Sequence, residues 1–464
     1  MEPRGQSESG PLAGGTSGER SVPISLDRPA DPTSLEWNAS GAGDGLGEAR
    51  CSPSPPPVLQ SGSPMDSTPR SERAALWFTS AAQFVTLAGM TAILPLLPLY
   101  LGELGVTDPV ALKSWTAILG SAPFAVAVVF TPIWGSLSDR FGYKAMVVRS
   151  IFGIAIATIG MGLATAPAHL LFWRLVQGAV SGVFPAAVAL VSARTPEPRV
   201  GRALAILQSA RAGGALLGPL VGGILADAFG IHSLFGGVGA IAIATALLCA
   251  FGIEREPDES RARAAAASTT TSRELLADPG TLGMLVLIAV FQVVVMTPWP
   301  SLALFVQLFD THQHTVATTT GLLVFATGLP SLLATTWWAG LGSRRGLVRM
   351  TAVSLAAVGA LNVCTGLVAK RLETVFALRA LTGFAMAGVI PLSFEWINRR
   401  APEGARGRMA GLGSTAMMLG NVVGPTLGGW LSLHFGLPAT FWAPGAVAAV
   451  AGTVLVAASA LREE

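Results

Sequence analysis

The chain has 464 residues, 51% of them hydrophobic and only 12% charged, about half the charged share usual in soluble domains. That composition overrides the prior of about three soluble domains that the length alone would suggest. The net charge of +3 sits on loops rather than in a basic run, which removes the case for nucleic-acid binding.

Residues 1–70 are rich in Ser, Gly and Pro, as in SPSPPP at 52–57, and have almost no apolar periodicity. They read as a disordered cytoplasmic N-terminal tail without the basic start and apolar core of a signal peptide; Met65 is an alternative start. Beyond them come long uncharged apolar runs. Spans are predicted at 75–101, 112–135, 145–166, 169–192, 203–226, 232–253, 281–305, 316–340, 347–368, 374–397, 408–431 and 438–461. Each is long enough, or nearly so, to cross a bilayer, which takes about 20 apolar residues. Helix is the required form, because backbone groups in lipid must be satisfied within the segment. The polar insert at 254–280 reads as a cytoplasmic linker between bundles at 71–253 and 281–464. The expected fold class is an all-α integral membrane protein with twelve transmembrane helices in two six-helix repeats.

Basic residues orient these spans. Arg140, Lys144, Arg149, Arg194, Arg199, Arg202, Arg344, Arg345, Arg349, Arg399, Arg400 and others fall on one side, and only Lys113, Lys370 and Arg371 on the other. The positive-inside bias therefore puts both termini in the cytoplasm, with the chain multi-pass in the plasma (inner) membrane. An internal repeat is visible as well. GALLGPLVGG at 214–223 returns as GNVVGPTLGG at 420–429, an offset of 206 that also pairs TPEPRVGRA (195–203) with APEGARGRM (401–409) and FGIHSLF (229–235) with FGLPATF (435–441). In the first copy Gly214, Gly218 and Gly222 share one helix face that permits close helix contact, and Pro219 kinks the helix. Gly223 follows. In the second copy Gly420, Gly424, Gly428 and Gly429 surround Pro425. Packing alone accounts for such a pattern; a sliding seam between the two bundles is the sharper reading.

Four stretches carry a family resemblance. GSLSDRFGYK (135–144), AGMTAILPLLP (88–98), RLVQG (174–178) and GALLGPLVGG stand in order along spans one to five. Together they resemble the major facilitator superfamily, specifically its twelve-helix drug:proton antiporter branch and MdtG-type multidrug efflux carriers. The second stretch supplies the helix-1 signature Gly89, Pro95 and Pro98. In the first, Gly135 and Gly142 would allow a tight turn carrying Asp139, Arg140 and Lys144. The resemblance implies that Asp139 docks on a helix N-terminus and latches the cytoplasmic side in the outward-facing state. Tyr143 stands where the family pattern usually has arginine, and Ser343 replaces the acid in the second-half counterpart AGLGSRRG (339–346).

Ionisable residues inside the spans mark function by default. They are Arg174, Arg211, Arg379 and the carboxylate of Glu395; Asp227 and His169 lie at span ends. The resemblance gives Arg174, with Gln177 and Gly178, a role in proton transfer, and Arg174 and Arg379 fall in spans that line the family's cavity. Arg379 is also close enough to a span end to snorkel. Glu395 has two open readings: an ion-pair gate with Arg399 or Arg344 and Arg345, or a proton carrier. The cation pumps of the family it resembles carry acids in helix 1, whereas 75–101 here has none. The resemblance therefore implies neutral, zwitterionic or anionic amphiphiles, suited to a cavity with more arginine than carboxylate, over strong cations.

Trp115, Trp299, Trp337, Trp338, Trp396 and Trp430 read as an interfacial belt. No metal site is expected from His312 and His314, nor from Cys51, Cys249 and Cys364, and no cofactor. The expected function is proton-coupled efflux of drug-like amphiphiles by alternating access, with small-molecule substrate, protons and the bilayer as partners and a monomer as the working unit. A carrier of one metabolite (sugar, amino acid or organic anion) on the same fold, or a non-transporting sensor or scaffold, are the rivals. No nucleophile–base pairing or phosphate-binding loop supports an enzyme or an ATP-driven pump.

Overall fold

The computed structural model describes residues 70–254, 272–309, 315–368, 370–402 and 406–460. The expected N-terminal tail, most of the 254–280 insert, His312, His314 and the side chain of Asp139 lie outside the described residues.

A first set of helices comprises α1 (Arg70–Ile93), α2 (Leu97–Glu103), α3 (Pro109–Phe141), α4 (Tyr143–Gly162), α5 (Pro167–Ala179), α6 (Val183–Arg194), α7 (Glu197–Phe229) and α8 (Ile231–Gly252). A second set comprises α9 (Ser272–Ala277), α10 (Pro279–Met296), α11 (Leu302–Gln307), α12 (Val316–Arg345), α13 (Leu347–Leu367), α14 (Leu372–Met386), α15 (Val389–Arg400), α16 (Arg406–His434) and α17 (Ala439–Ala460). Eleven stretches among the described residues are long and apolar enough to cross a membrane, some of them joining two consecutive helices. The large apolar side chains that remain exposed, such as Leu248, Phe251, Val450 and Val454, suit a lipid-facing surface. The protein is all-α and multi-pass. The helix α16 stands outside those eleven, its apolar character diluted by Gly, Ser, Thr and Asn421.

Local chemistry explains where the helices start and stop. Asp108 accepts a hydrogen bond from the Ala111 N–H at 2.7 Å and caps α3. Asp278 does the same for α10, accepting from the Thr281 hydroxyl at 2.7 Å and its N–H at 2.8 Å. Those bonds, the hydroxyl's foremost, hold the Asp278 carboxyl below its ordinary range. Pro95 and Pro98 lack N–H donors, and the chain passes through a 3₁₀ turn at Leu94–Leu96 between α1 and α2. Likewise Pro298 and Pro300 end the seventh predicted span at Met296, so its remainder forms α11.

Two predicted spans are broken in the middle, and the breaks are built alike. Gly182 adopts φ +126° between α5 and α6. There the Trp134 indole N–H, from α3, donates to the freed Ala179 carbonyl at 2.6 Å. Between α14 and α15 the Trp338 indole, from α12, donates to the Phe384 carbonyl at 2.8 Å, and the Ser354 hydroxyl donates to Ala385 at 2.6 Å. Trp338 is therefore buried and structural rather than part of an interfacial belt. The stretch 135–144 also differs from the expected loop. Helix α3 runs on to Phe141, Gly135 lies on its exposed surface, and the turn is made by Gly142 alone at φ +94°. Tyr143 is buried in the core among Met146 and Leu190, where a charged side chain would be costly.

Helix–helix contact depends on the repeated glycines. A Cβ on Gly214, Gly218 or Gly222 would strike the α1 backbone at Phe84, Ala88 or Ala92. One on Gly420, Gly424 or Gly428 would strike α10 and its exit at Gln292, Met296 or Thr297. These two stripes bind α7 to α1 and α16 to α10, each within its own set and not to the opposite set. We predict that Gly218→Val destabilises the fold by about 1–3 kcal/mol through overpacking, whereas Gly201→Val, with nothing within 4 Å of its Cβ position, changes little. Thermal unfolding of purified protein checks this; equal loss in both variants refutes it.

Candidate functional site

The two sets meet along two seams, α7 against α12 and α3 against α16. Adjacent residues on α7 point about 100° apart, so Gly222 faces α1 while Gly223 packs on the Ala317 backbone of α12. Gly321 returns the contact on the Pro219 carbonyl. In the second seam Gly429 packs on Ala117, and Gly120 on Pro300 and Pro425. Charges fasten the same end. The Asp227 carboxylate, at the end of α7, accepts from the Thr318 N–H in the first turn of α12 at 2.7 Å. The Lys113 ammonium, in the first turn of α3, donates to the Ser432 carbonyl near the end of α16 at 2.9 Å. A carboxylate at a helix N-terminus and a cation at a helix C-terminus both suit the helix dipole.

Toward the other end, the glycines of the same four helices are exposed. Gly135, Gly201, Gly340 and Gly411, one on each, have no atom within 4 Å of a Cβ position. The close glycine contacts across both seams lie toward the end bearing Asp227 and Lys113, and the exposed glycines toward the end bearing Arg140, Arg344 and Arg345.

A cavity of about 320 Å³ lies beside the α7–α12 seam. Its wall takes Ala212, Ala215 and Leu216 from α7, Val294 and Val295 from α10, and Pro298, Trp299 and Leu302 beyond it. The opposite wall takes Val324, Thr327 and Ser331 from α12, Asn362 from α13, and Arg379, Thr382 and Met386 from α14. Arg379 does not snorkel. Its guanidinium carbon sits 5.7 Å from the Phe441 ring centre, and its buried Nε has no hydrogen-bond partner.

The other predicted ionisable residues lie elsewhere. Arg174 is 1% exposed and off the cavity wall. Pro123, inside α3, has no N–H to offer the Leu119 carbonyl four residues earlier. The Arg174 Nε donates to that carbonyl at 2.9 Å, and its Nη1 donates to the Gln177 Oε1 at 2.8 Å. Gly178 completes the node, for a Cβ there would strike the Pro123 backbone. Arg211 lies 4.5 Å over the Phe184 ring, a cation–π contact between α7 and α6. Glu395 is half-exposed and pairs with Arg399 one turn on at 2.5 Å. Arg140 is exposed at the end of α3. Of the helix-1 signature, Gly89 packs on Val238 of α8, and Pro95 and Pro98 are buried at the α1–α2 break.

Residues 79–312 and 299–464 both match the profile of the Major Facilitator Superfamily. The chain belongs to that superfamily. It is 33% identical over 367 residues to the "Uncharacterized MFS-type transporter YuxJ" of Bacillus subtilis (strain 168), covering 78% of this chain and 92% of that protein. It is 30% identical over 361 residues to the "Multidrug resistance protein MdtG" of Escherichia coli (strain K12 / DH10B), covering 77% and 88%. Among solved structures, a bacterial homolog of the human lysosomal transporter Spinster, inward-facing and occupied, superposes with a TM-score of 0.67 at 15% identity, over 85% and 96% of the two chains. The nucleoside transporter NupG superposes with a TM-score of 0.68 at 12% identity, over 82% and 99%. This superfamily member is thus a lipid-embedded secondary transporter of small molecules rather than an enzyme, distantly related to MdtG-type proteins.

Sequence reasoning did not single out Pro123 and Asn362, read Lys113 only as a charge on the outer side, and placed Trp299 in the interfacial belt. Pro123 had a legible signal, a proline well inside a predicted span. We predict that Pro123→Ala, by returning a donor to the Leu119 carbonyl, lessens the stability cost of Arg174→Gln. A double-mutant cycle on thermal unfolding should give a coupling of about 0.5–3 kcal/mol; additivity within about 0.3 kcal/mol contradicts the node.

Proposed function

We propose that this protein is a carrier of two six-helix bundles, 71–253 and 281–464, that exports drug-like amphiphiles across the plasma membrane in exchange for protons. The helix α16 supplies the twelfth span, the 254–280 insert is the cytoplasmic linker, and the monomer is the working unit. One observation carries the reading: the close glycine contacts across both seams gather toward one end, while the glycines of the same four helices toward the other end are exposed, with nothing within 4 Å of a Cβ position. With the arginine-rich end in the cytoplasm by the positive-inside bias, both termini are cytoplasmic and the described state is inward-facing. Cargo then reaches the cavity from the cytoplasm or the inner leaflet.

Release to the outside requires the closed end to part. The Asp227–Thr318 and Lys113–Ser432 contacts must break there, while Asp139 docks on a helix N-terminus at the opposite end and holds it shut. The Arg174–Gln177 node and Glu395 are the groups nominated for proton coupling. Similarity to the proteins named "Multidrug resistance protein MdtG" supports the drug-like class of cargo.

Efflux of a fluorescent amphiphile into inverted vesicles, with and without a proton gradient, tests the coupling. The reading predicts at least about tenfold slower transport once the gradient is collapsed, the loss of a driving force worth about 1.4 kcal/mol or more. An unchanged rate removes proton exchange from the account.

A further inference from the structure

The cavity beside the α7–α12 seam has the chemistry of an anion-accepting site, a reading that rests on the carrier function above and narrows its cargo. Its polar residues are unequal in what they can offer a ligand. The Thr327 hydroxyl already donates to the Leu323 carbonyl at 3.0 Å, and the Thr382 hydroxyl to Leu378 at 2.7 Å. The Asn362 amide donates to Val358 at 2.9 Å. Two buried donors on the wall have no partner: the Arg379 Nε and the Trp299 indole N–H. Among the described residues the Arg379 guanidinium makes no ion pair, and no Asp or Glu lines the cavity.

A buried cation without a counter-ion and a buried N–H without an acceptor both lower stability. A group that brings negative charge and acceptor oxygens relieves both deficits together. Arg379 presents a planar fork matched to carboxylate and sulfonate. The rest of the wall, largely Leu, Val and Met, takes an apolar body. A cationic amphiphile finds the opposite: it meets Arg379 with like charge and no carboxylate to receive it.

We propose that this cavity binds amphiphiles with a single anionic head, whose carboxylate or sulfonate oxygens accept from Arg379 and Trp299 while the apolar body lies between α7 and α12. The position after Pro298 gives the indole its place: Trp299 stands between two prolines, in the break that ends α10.

The test uses the full-length protein in nanodiscs and three probes with one aromatic body: 1-naphthylacetate, 2-(1-naphthyl)ethanol and 2-(1-naphthyl)ethylamine. Calorimetric binding should favour the anion over the alcohol by about tenfold or more, the yield of one charge-assisted hydrogen bond. The amine should bind more weakly than the alcohol. Arg379→Gln should bring anion and alcohol within about threefold, Arg379→Lys should restore most of the preference, and Trp299→Phe should weaken the anion about threefold. Replacing chloride by gluconate in the buffer separates an inorganic anion from an amphiphilic one. Equal binding of the three probes, an anion preference untouched by Arg379→Gln, or a site that takes chloride but not 1-naphthylacetate overturns the proposal. Retained anion binding with no transport of any probe into inverted vesicles leaves the site standing and refutes the carrier reading instead.

Discussion

Two helix backbones come into carbonyl contact only where no side chain stands between them, and this fold depends on that constraint. Gly214, Gly218 and Gly222 use it to fix α7 on α1, and Gly420, Gly424 and Gly428 to fix α16 on α10. One residue further round each helix, Gly223 and Gly429 use it again, now against the opposite set. A double glycine at the end of each pattern thus serves two faces. The first face runs the length of the stripe and binds a helix within its own bundle. The second meets the opposite set over about two to three turns, from Leu216 to Asp227 on α7 and from Lys113 to Gly120 on α3. In lipid, where the hydrophobic effect does not hold helices together, such close packing is the available adhesive.

The ionisable groups show three solutions to charge inside a membrane. Arg174 donates from Nε to a backbone carbonyl that a proline has released and from Nη1 to the nearby Gln177, and its buried Nη2 has no partner. Arg211 rests on an aromatic ring. Arg379 faces the Phe441 ring at a longer 5.7 Å, leaves its Nε without a partner, and lines the cavity. The contrast matters for function: Arg174 and Arg379 each keep one buried nitrogen without a partner, and of the two only Arg379 lines the described cavity. Glu395, the acid that stood out along the chain, is answered locally by Arg399.

Much of this was legible along the chain. The apolar runs located the helices, and the 206-residue offset linked the two glycine patterns. Each of those signals is local in sequence. What was not legible depends on where separate helices meet. No spacing shows that the Leu119 carbonyl is met by Arg174, or that Trp134 and Trp338 close two helix breaks, because the partners are 45 or more residues apart. The 135–144 stretch read as a loop because its charges cannot lie in lipid; they lie instead on the last turns of a helix that outruns its apolar segment. Asp227 was visible only as a charge at a span end, since its partner is a backbone N–H, which leaves no mark in a sequence.

The central claim is that the arginine-rich end of the seams closes when the opposite end opens. Spin labels at Gly201→Cys on α7 and Gly340→Cys on α12, in a background with Cys51, Cys249 and Cys364 replaced by Ser, report that distance by pulsed electron resonance. The account predicts a long distance for the protein alone and a second, shorter population that grows as cargo is added or pH is changed. A single distance, the same under every condition that supports transport, would contradict it.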